Sequence, residues 1–205
     1  MTLTPLMIDL GGKKVVIVGG GRVAERRVQN LLESGALLTV ISPEIEEKIH
    51  SLWEKGLLNW RQKYFEAEDL DNAFLIIVAT NNSVVNQSVV QATPPNSLLS
   101  VASDANQGNV QFPAHFKQGK LSVSISTNGA SPLLSAKIKK HLHTIYDENY
   151  GDYVDFLYES RQLIKHSALA KKEQKLLLKD LLREDFLNKD KQRKKLVCLK
   201  GDILK

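Results

Sequence analysis

The sequence predicts an α/β chain: a doubly wound parallel sheet, then a small α/β strand-turn-helix region, then a helical C-terminal part. Three observations carry that expectation. Val15 to Val18 is an unbroken run of β-branched residues, the mark of a parallel strand buried on both faces. A glycine cluster follows at once, with Gly19, Gly21 and Ala24 in the spacing G-x-G-x-x-A, and an amphipathic helical stretch opens on it. The alternation of apolar run, turn and helical run then recurs and breaks off at Phe112-Pro113-Ala114, as strands joined by crossover helices would. Residues 1–112 are therefore expected to form a Rossmann-like nucleotide-binding domain, 113–147 a strand-turn-helix region, and 148–205 a helical domain.

Taken in order, Leu6 to Leu10 is a short apolar lead-in that Gly11-Gly12 turns into the first strand. The helix after the glycines sets Val23, Val28, Leu31 and Leu32 toward a core and Glu25, Arg26 and Gln29 mainly elsewhere. Gly35 sits where a C-terminal cap belongs, and Leu37 to Ile41 returns as a second buried strand. Ile45 to Lys55 has helical periodicity through Ile45, Ile49, Leu52 and Trp53. Asn59 to Phe65 alternates well enough for a strand, and Glu66 to Asn72 is a polar connection or short helix. Phe74 to Ala79 and Leu98 to Ala102 are further apolar strands, with a helix over Val84 to Gln91 between them. Lys120 to Ser126 alternates cleanly, Leu121, Val123 and Ile125 on one face and serines on the other, so one face is expected to be buried. A helix starts at about Pro132, proline being suited to a first turn, and points Leu133, Ala136, Ile138, Leu142 and Ile145 toward a core. Gly151 to Leu187 reads as two or three packed helices. The charged stretch from Asn188 is open between fraying and lying against the body.

These elements place a dinucleotide site. The first glycine permits the tight turn, the second lets a pyrophosphate approach the backbone, and Ala24 lets helix and strand pack closely. Gly19, Gly21, Arg22, Val23 and Ala24 are the cofactor-binding candidates there. The acid that binds the adenosine ribose 2′-OH normally ends the second strand about 20 residues on. Here that end reads Ser42-Pro43-Glu44, so Ser42, Pro43 and Glu44 are candidates and NAD is preferred over NADP, while Arg22, Arg26 and Arg27 keep a 2′-phosphate open. Ligands lie outside the carboxyl ends of the strands. Thr80 and Asn81 therefore either bond the nicotinamide ribose or substrate, or belong to an Asn-Asn-Ser cap on the next helix. Ser103-Asp104 falls on the same edge.

The bulk properties exclude several classes. With 42% hydrophobic and 25% charged residues the chain is an ordinary globular protein able to bury a core. No apolar run approaches the roughly 20 residues that span a bilayer, and the N-terminus lacks the pattern of a signal peptide. Cys198 is the only cysteine, which excludes internal disulfides and cysteine metal sites, and a cytoplasmic protein is expected. The net charge of +5 is concentrated beyond Lys137. No nucleic-acid motif accompanies it, so neither nucleic acid nor membrane is expected as partner.

The residues Val16-Ile17-Val18-Gly19-Gly20-Gly21-Arg22-Val23-Ala24-Glu25-Arg26, Thr39 to Glu44, Ala79-Thr80-Asn81-Asn82 with Asn86, Phe112-Pro113-Ala114 and, above all, Ser124-Ile125-Ser126-Thr127-Asn128-Gly129-Ala130-Ser131-Pro132 resemble the precorrin-2 dehydrogenases. That family also forms the N-terminal part of siroheme synthases. The resemblance runs in order over about residues 6–145. It implies NAD-dependent oxidation of precorrin-2 to sirohydrochlorin by a homodimer built on the strand and helix around Ser131. It also implies a single catalytic carboxylate, which falls on Asp104. Where the family reads N-V-x-D this chain reads Ser100-Val101-Ala102-Ser103-Asp104, with asparagine replaced and the spacing one residue longer. Asn128 stands where the family has glycine, and asparagine tolerates the left-handed conformation. In one branch of the family a serine at the position of Thr127 is phosphorylated.

The implied substrate is a polycarboxylate tetrapyrrole, which accounts for the basic charge. Ser126, Thr127, Lys137, Lys140 and His141 are the candidates to hold its carboxylates, and the bland alternative for the last three is a solvated helix face. Some members also insert Fe²⁺. The five histidines have no tight ligand spacing, so no metal site is assigned, and 205 residues leave no room for a methyltransferase domain. Two competing readings are a non-catalytic NAD-responsive regulator and an unrelated NADP reductase. The Ser124 to Pro132 segment together with Asp104 argues against the first.

Overall fold

The computed structural model describes residues 3–203. Two residues at each end of the sequence, including the last two of the charged C-terminal stretch, lie outside the described residues. The chain divides into two compact units, one through Phe112 and one from Pro113.

In the first unit the strands are β1 (Lys14–Val18), β2 (Leu37–Ile41), β3 (Asn59–Arg61), β4 (Leu75–Val78) and β5 (Leu98–Val101). The helices are α1 (Arg22–Leu31), α2 (Glu47–Glu54) and α3 (Ser83–Ala92). All strand pairs are parallel, in the order β3-β2-β1-β4-β5. The order reverses between β1 and β4, and the crevice of a doubly wound sheet opens at such a switch point. Alternate side chains of β1 serve two cores. Val15 and Ile17 pack with Ala24, Val28 and Leu31 of α1, while Val16 and Val18 pack with Leu70 and Val89. A strand with a wet face would have had to alternate; this one is apolar throughout because both faces are covered.

Several local expectations are adjusted here. Val23 is 41% exposed, and Ala24, with no exposed surface, takes its place on the core face of α1. The helix begins at Arg22, so its buried stripe runs through Ala24, Val28 and Leu31. Helix α2 starts at Glu47, after Ile45, and Trp53 is 39% exposed, packed edge-on against Trp60 at 5.3 Å between rings. Strand β3 stops at Arg61, and Gln62 to Glu66 is loop.

The second unit pairs β6 (Ala114–Gln118) antiparallel with β7 (Leu121–Ile125). The alternation of β7 was legible in sequence, whereas β6 was not, because only Phe116 is buried along it. Gly119, at φ 55°, makes the turn between them. The helices are α4 (Pro132–Ile145), α5 (Glu148–Lys165), α6 (Lys171–Asp180) and α7 (Lys189–Ile203). The core of this unit is Tyr153, Phe156 and Ile164 of α5 with Leu181 and Leu199. The charged C-terminal stretch thus lies against the body: Leu199 and Gln192 of α7 are buried, and Gln192 Nε2 donates to Phe186 O at 2.7 Å.

Helix α4 departs from expectation. Leu133 is 85% and Ile145 50% exposed, Ala136 is exposed, and Ile138 and Leu142 are only half-buried. Ser135 is the buried residue of this helix. The core of the unit is closed by α5, α6 and α7 instead, which leaves the apolar side of α4 uncovered within one chain.

Candidate functional site

At the carboxyl ends of β1, β2, β4 and β5 the first unit opens a cleft of about 940 Å³. Its walls are Gly19 to Val23, Ser42 to Glu47, Lys63 to Phe65, Ala79 to Asn82, and Ala102-Ser103. Of the sequence-predicted cofactor residues, Gly19, Gly21, Arg22, Val23, Ser42, Pro43, Glu44, Thr80 and Asn81 line this cleft, while Ala24 packs beneath it in the core.

The three glycines do different work. Gly19 has φ 116°, and a Cβ there would lie 2.4 Å from Ala79 O, so the turn after β1 passes directly against the end of β4. A Cβ on Gly20 would lie 2.0 Å from Glu44 O, and Gly20 O accepts from Glu46 N at 2.9 Å. This binds the glycine loop to the segment after β2. Gly21 has nothing within 4 Å of its missing Cβ, and as N-cap of α1 it offers no side chain to the first helical amides. Those amides and the positive end of the helix dipole therefore face the cleft bare, which suits an anionic pyrophosphate. The residues present fit a bound dinucleotide.

At the end of β4 both alternatives for the polar cluster are realised, by different residues. Asn82 is the cap: its Oδ1 accepts from Val84 N at 2.9 Å and Val85 N at 3.2 Å. Thr80 is held by buried Asn86, its Oγ1 donating to Asn86 Oδ1 at 2.6 Å while Asn86 Nδ2 donates to Thr80 O at 3.2 Å. Thr80 and Asn81 are left on the cleft wall.

Beyond β5 the wall is made by Ala102 and Ser103, and Asp104 is not among the lining residues. Asp104 caps the short turn Ala105–Gln107, its carboxylate accepting from Asn106 N at 3.0 Å and Gln107 Nε2 at 3.2 Å. Three arginines kept a 2′-phosphate open in sequence, but only Arg22 reaches the cleft. Arg27 turns away, its guanidinium 4.4 Å from the Phe112 ring centre, and burial, followed by repulsion from Arg26, lowers its pKa.

The sequence did not reveal Gly20, the Ile45-Glu46-Glu47 wall or the loop Lys63-Tyr64-Phe65. The loop follows β3 and is fastened by Asp69, which is 2% exposed. Asp69 Oδ1 accepts from Arg61 Nη1 at 3.1 Å and pairs with Lys63 Nζ at 3.2 Å, and its Oδ2 accepts from Glu66 N at 3.0 Å. Lys63 also pairs with Glu66, and that hydrogen bond is the largest cause raising its pKa. The sequence gives no signal for this fastening, since nothing local separates Asp69 from Glu66, Glu68 and Asp71 of the same polar connection.

The remaining predicted residues belong to the second unit. Asn128 does adopt the left-handed conformation, at φ 49°, followed by Gly129 at φ 84°. Ser126 Oγ accepts from Asn128 N at 3.0 Å, and Thr127 Oγ1 accepts from Ser131 N at 3.0 Å and donates to Ser131 O at 3.1 Å. Both hydroxyls thus shape the turn into α4, where Ser131 Oγ accepts from Leu134 N. Lys137, Lys140 and His141 are exposed on α4. Among the described residues no three His, Cys, Asp or Glu side chains are grouped to hold a metal, and no helix is long and apolar enough to cross a membrane.

Three family models match: a putative NAD(P)-binding family over residues 6–114, a sirohaem biosynthesis protein central family over 118–143, and a SirC C-terminal domain family over 150–195. The precorrin-2 dehydrogenase of Priestia megaterium is 42% identical over 181 residues, which cover 88% of this chain and 90% of that protein. The precorrin-2 dehydrogenase of Bacillus subtilis (strain 168) is 39% identical over 160 residues, 78% of this chain and 99% of the relative. The solved structure of SirC, a precorrin-2 dehydrogenase, superposes with a TM-score of 0.87 at 40% identity, covering 97% of this chain and all of that one. With more than half of the sequence inside the NAD(P)-binding match and both units matched by the SirC structure, the chain belongs to the precorrin-2 dehydrogenase family.

Proposed function

We propose that the chain is an NAD-dependent dehydrogenase that oxidises precorrin-2 to sirohydrochlorin. The observation that carries this reading is the bare Gly21 end of α1 in the cleft at the β1/β4 switch point, in a chain so similar to a precorrin-2 dehydrogenase along its length. NAD, when bound, supplies the acceptor for a hydride leaving a ring carbon of the substrate. The chain supplies everything else. Gly19 to Val23 admit and neutralise the pyrophosphate, Ser42, Pro43 and Glu44 face the adenosine ribose, and Thr80, fixed by Asn86, orients the other half with Asn81.

Asp104 is the proposed catalytic carboxylate, accepting a proton or fixing the ring as an anion. Ser126, Thr127, Lys137, Lys140 and His141 are proposed to hold substrate carboxylates, the cations by charge-assisted hydrogen bonds. The uncovered Leu133, Leu134 and Ile145 of α4 support a homodimer, since a stripe of that size is usually buried against something.

The test is an anaerobic incubation of the purified protein with precorrin-2 and NAD⁺, following NADH and sirohydrochlorin by absorbance, with Fe²⁺ then added to read siroheme. NADH rising in step with sirohydrochlorin is the expected outcome. A folded sample that forms no NADH with NAD⁺ and no NADPH with NADP⁺ would refute the enzyme reading and favour an NAD-responsive regulator.

A further inference from the structure

The second wall of the cleft bears on which dinucleotide enters. The segment after β2 and the loop after β3 are joined side by side. Ser42 N donates to Arg61 O at 3.3 Å, Trp60 Nε1 donates to Ser42 O at 2.9 Å, and Gln62 Nε2 donates to Pro43 O at 3.3 Å. In a doubly wound sheet the end of the second strand is where the adenosine 2′ position is read. Lys63, next to Gln62, thus lies on the wall beside that position, and with Arg22 it is one of two cations among the lining residues. Arg22 belongs to the glycine loop on the pyrophosphate side, which leaves Lys63 as the cation placed for a 2′-phosphate.

Lys63 is not free to serve it. Its ammonium is held by Glu66 and by the buried Asp69, and the same wall carries Glu44, Glu46 and Glu47. Taking the cleft as the NAD site proposed above, we infer that the Lys63–Glu66 pair is the specificity determinant for the adenosine ribose. While the pair holds, the wall presents carboxylates and no available cation, and a 2′-phosphate is repelled. Asp69 does not depend on Lys63, because Arg61 and the Glu66 amide remain bonded to it. Asp69 can therefore release Lys63 and stay bonded, so removing Glu66 takes away the nearer of the two carboxylates on the ammonium and lets Lys63 swing into the cleft. The Glu66 side chain is 67% exposed and does not itself line the cleft, and glutamine keeps an amide oxygen at this N-cap of the 67–70 turn.

The experiment compares NAD⁺ and NADP⁺ binding by calorimetry at low salt in the wild-type protein, in Glu66→Gln, in Lys63→Met, and in the double variant. Glu66→Gln is expected to raise NADP⁺ affinity about tenfold, the scale of one charge-assisted contact, with NAD⁺ affinity unchanged. The double variant is expected to lose that gain, and Lys63→Met alone, which leaves the Glu66 carboxylate uncompensated, to give none. Unaltered NADP⁺ affinity in Glu66→Gln would overturn the inference. So would a gain that persists in the double variant, which would assign it to the removed carboxylate alone. A gain in Lys63→Met alone would also overturn it, since the ammonium would then not be the group that meets the phosphate. If the wild-type protein binds neither dinucleotide, the proposed cofactor site fails, and that result is distinct from all of these.

Discussion

Gly20 and Gly21 are adjacent, yet alanine at each should fail in a different way. At Gly20 the added Cβ would sit 2.0 Å from Glu44 O, 2.8 Å from Ile45 Cγ2 and 2.9 Å from Ile45 Cα. Two of these atoms are backbone and cannot rotate aside. The segment they belong to is tied to Gly20 O through Glu46 N at 2.9 Å, so relief would break that bond. Overpacking of this kind costs about 1–3 kcal/mol and the lost hydrogen bond about 1 kcal/mol more, so Gly20→Ala should destabilise by about 2–4 kcal/mol. For a chain of this length each kcal/mol lowers Tm by roughly 2–4 °C, giving a fall of about 4–16 °C.

At Gly21 the Cβ would meet nothing within 4 Å, and the backbone φ of −82° is open to alanine. Stability should change by less than about 1 kcal/mol, because the freedom lost by the unfolded chain offsets alanine's poorer fit as an N-cap. The methyl group would instead occupy the approach of the pyrophosphate to the α1 amides. Loss of one such contact to a charged group, about 1.5–3 kcal/mol, weakens NADH binding by about 10–150-fold. Thermal unfolding and an NADH fluorescence titration read the two effects separately. A Gly21→Ala protein that melts like Gly20→Ala, or that binds NADH like the wild type, would refute the assignment of the two glycines.

Asp104→Asn keeps the acceptor for Asn106 N while removing the charge. It should lower dehydrogenase turnover by about 10²–10⁴-fold with NAD binding retained, and undiminished turnover in a steady-state assay would remove Asp104 from the mechanism. Asp69→Ala should cost about 2–3 kcal/mol in urea unfolding, since it leaves the Glu66 amide without its acceptor and frees Arg61 and Lys63 to water; a loss below 1 kcal/mol would deny Asp69 its fastening role. Asp147 caps α5, and the Tyr150 amide, ahead of the Asn149 side chain, lowers its pKa; Lys191, then Arg183, lowers that of Asp185. A lowered native pKa contributes stability that is present above the ordinary carboxylate value and disappears as pH falls through the native one. The stability gap between wild type and an Asp147→Ala/Asp185→Ala variant should therefore hold from pH 8 to about 5 and shrink below about 4. A gap that widens in acid would contradict this.

How much of the site was legible depends on how local its determinants are. The glycine cluster, the strand before it and the helix after it are set by neighbouring residues, because positive φ, β-branching and helical period are properties of short segments. Hence Gly19, Gly21, Arg22, Ser42, Thr80 and Asn81 could be placed on one edge from the sequence, and they do line one cleft. Asn128 could likewise be assigned its left-handed turn. What lies across from a residue is not written in its neighbours. Val23 fits an apolar stripe by spacing, yet the first turn of α1 projects it outward. Asp104 follows β5 as expected, and the structure adds that its carboxylate accepts from Asn106 N and Gln107 Nε2. Strand β6 has too few buried residues to show a period and is defined by its partner β7.

The sequence by itself therefore determined the alternation of strands and helices, the phosphate-binding turn and the edge on which the cofactor residues gather. Only the tertiary structure decided which residues wall the cleft opposite that turn. Gly20 must be glycine because of Glu44, and Lys63 is held by Glu66 and Asp69 together. The tertiary structure also decided that α4 keeps its leucines uncovered while α7 packs down on the helical core. Period and turn chemistry are written in consecutive residues. Steric exclusion, ion pairing and burial depend on segments brought together only when the chain has folded.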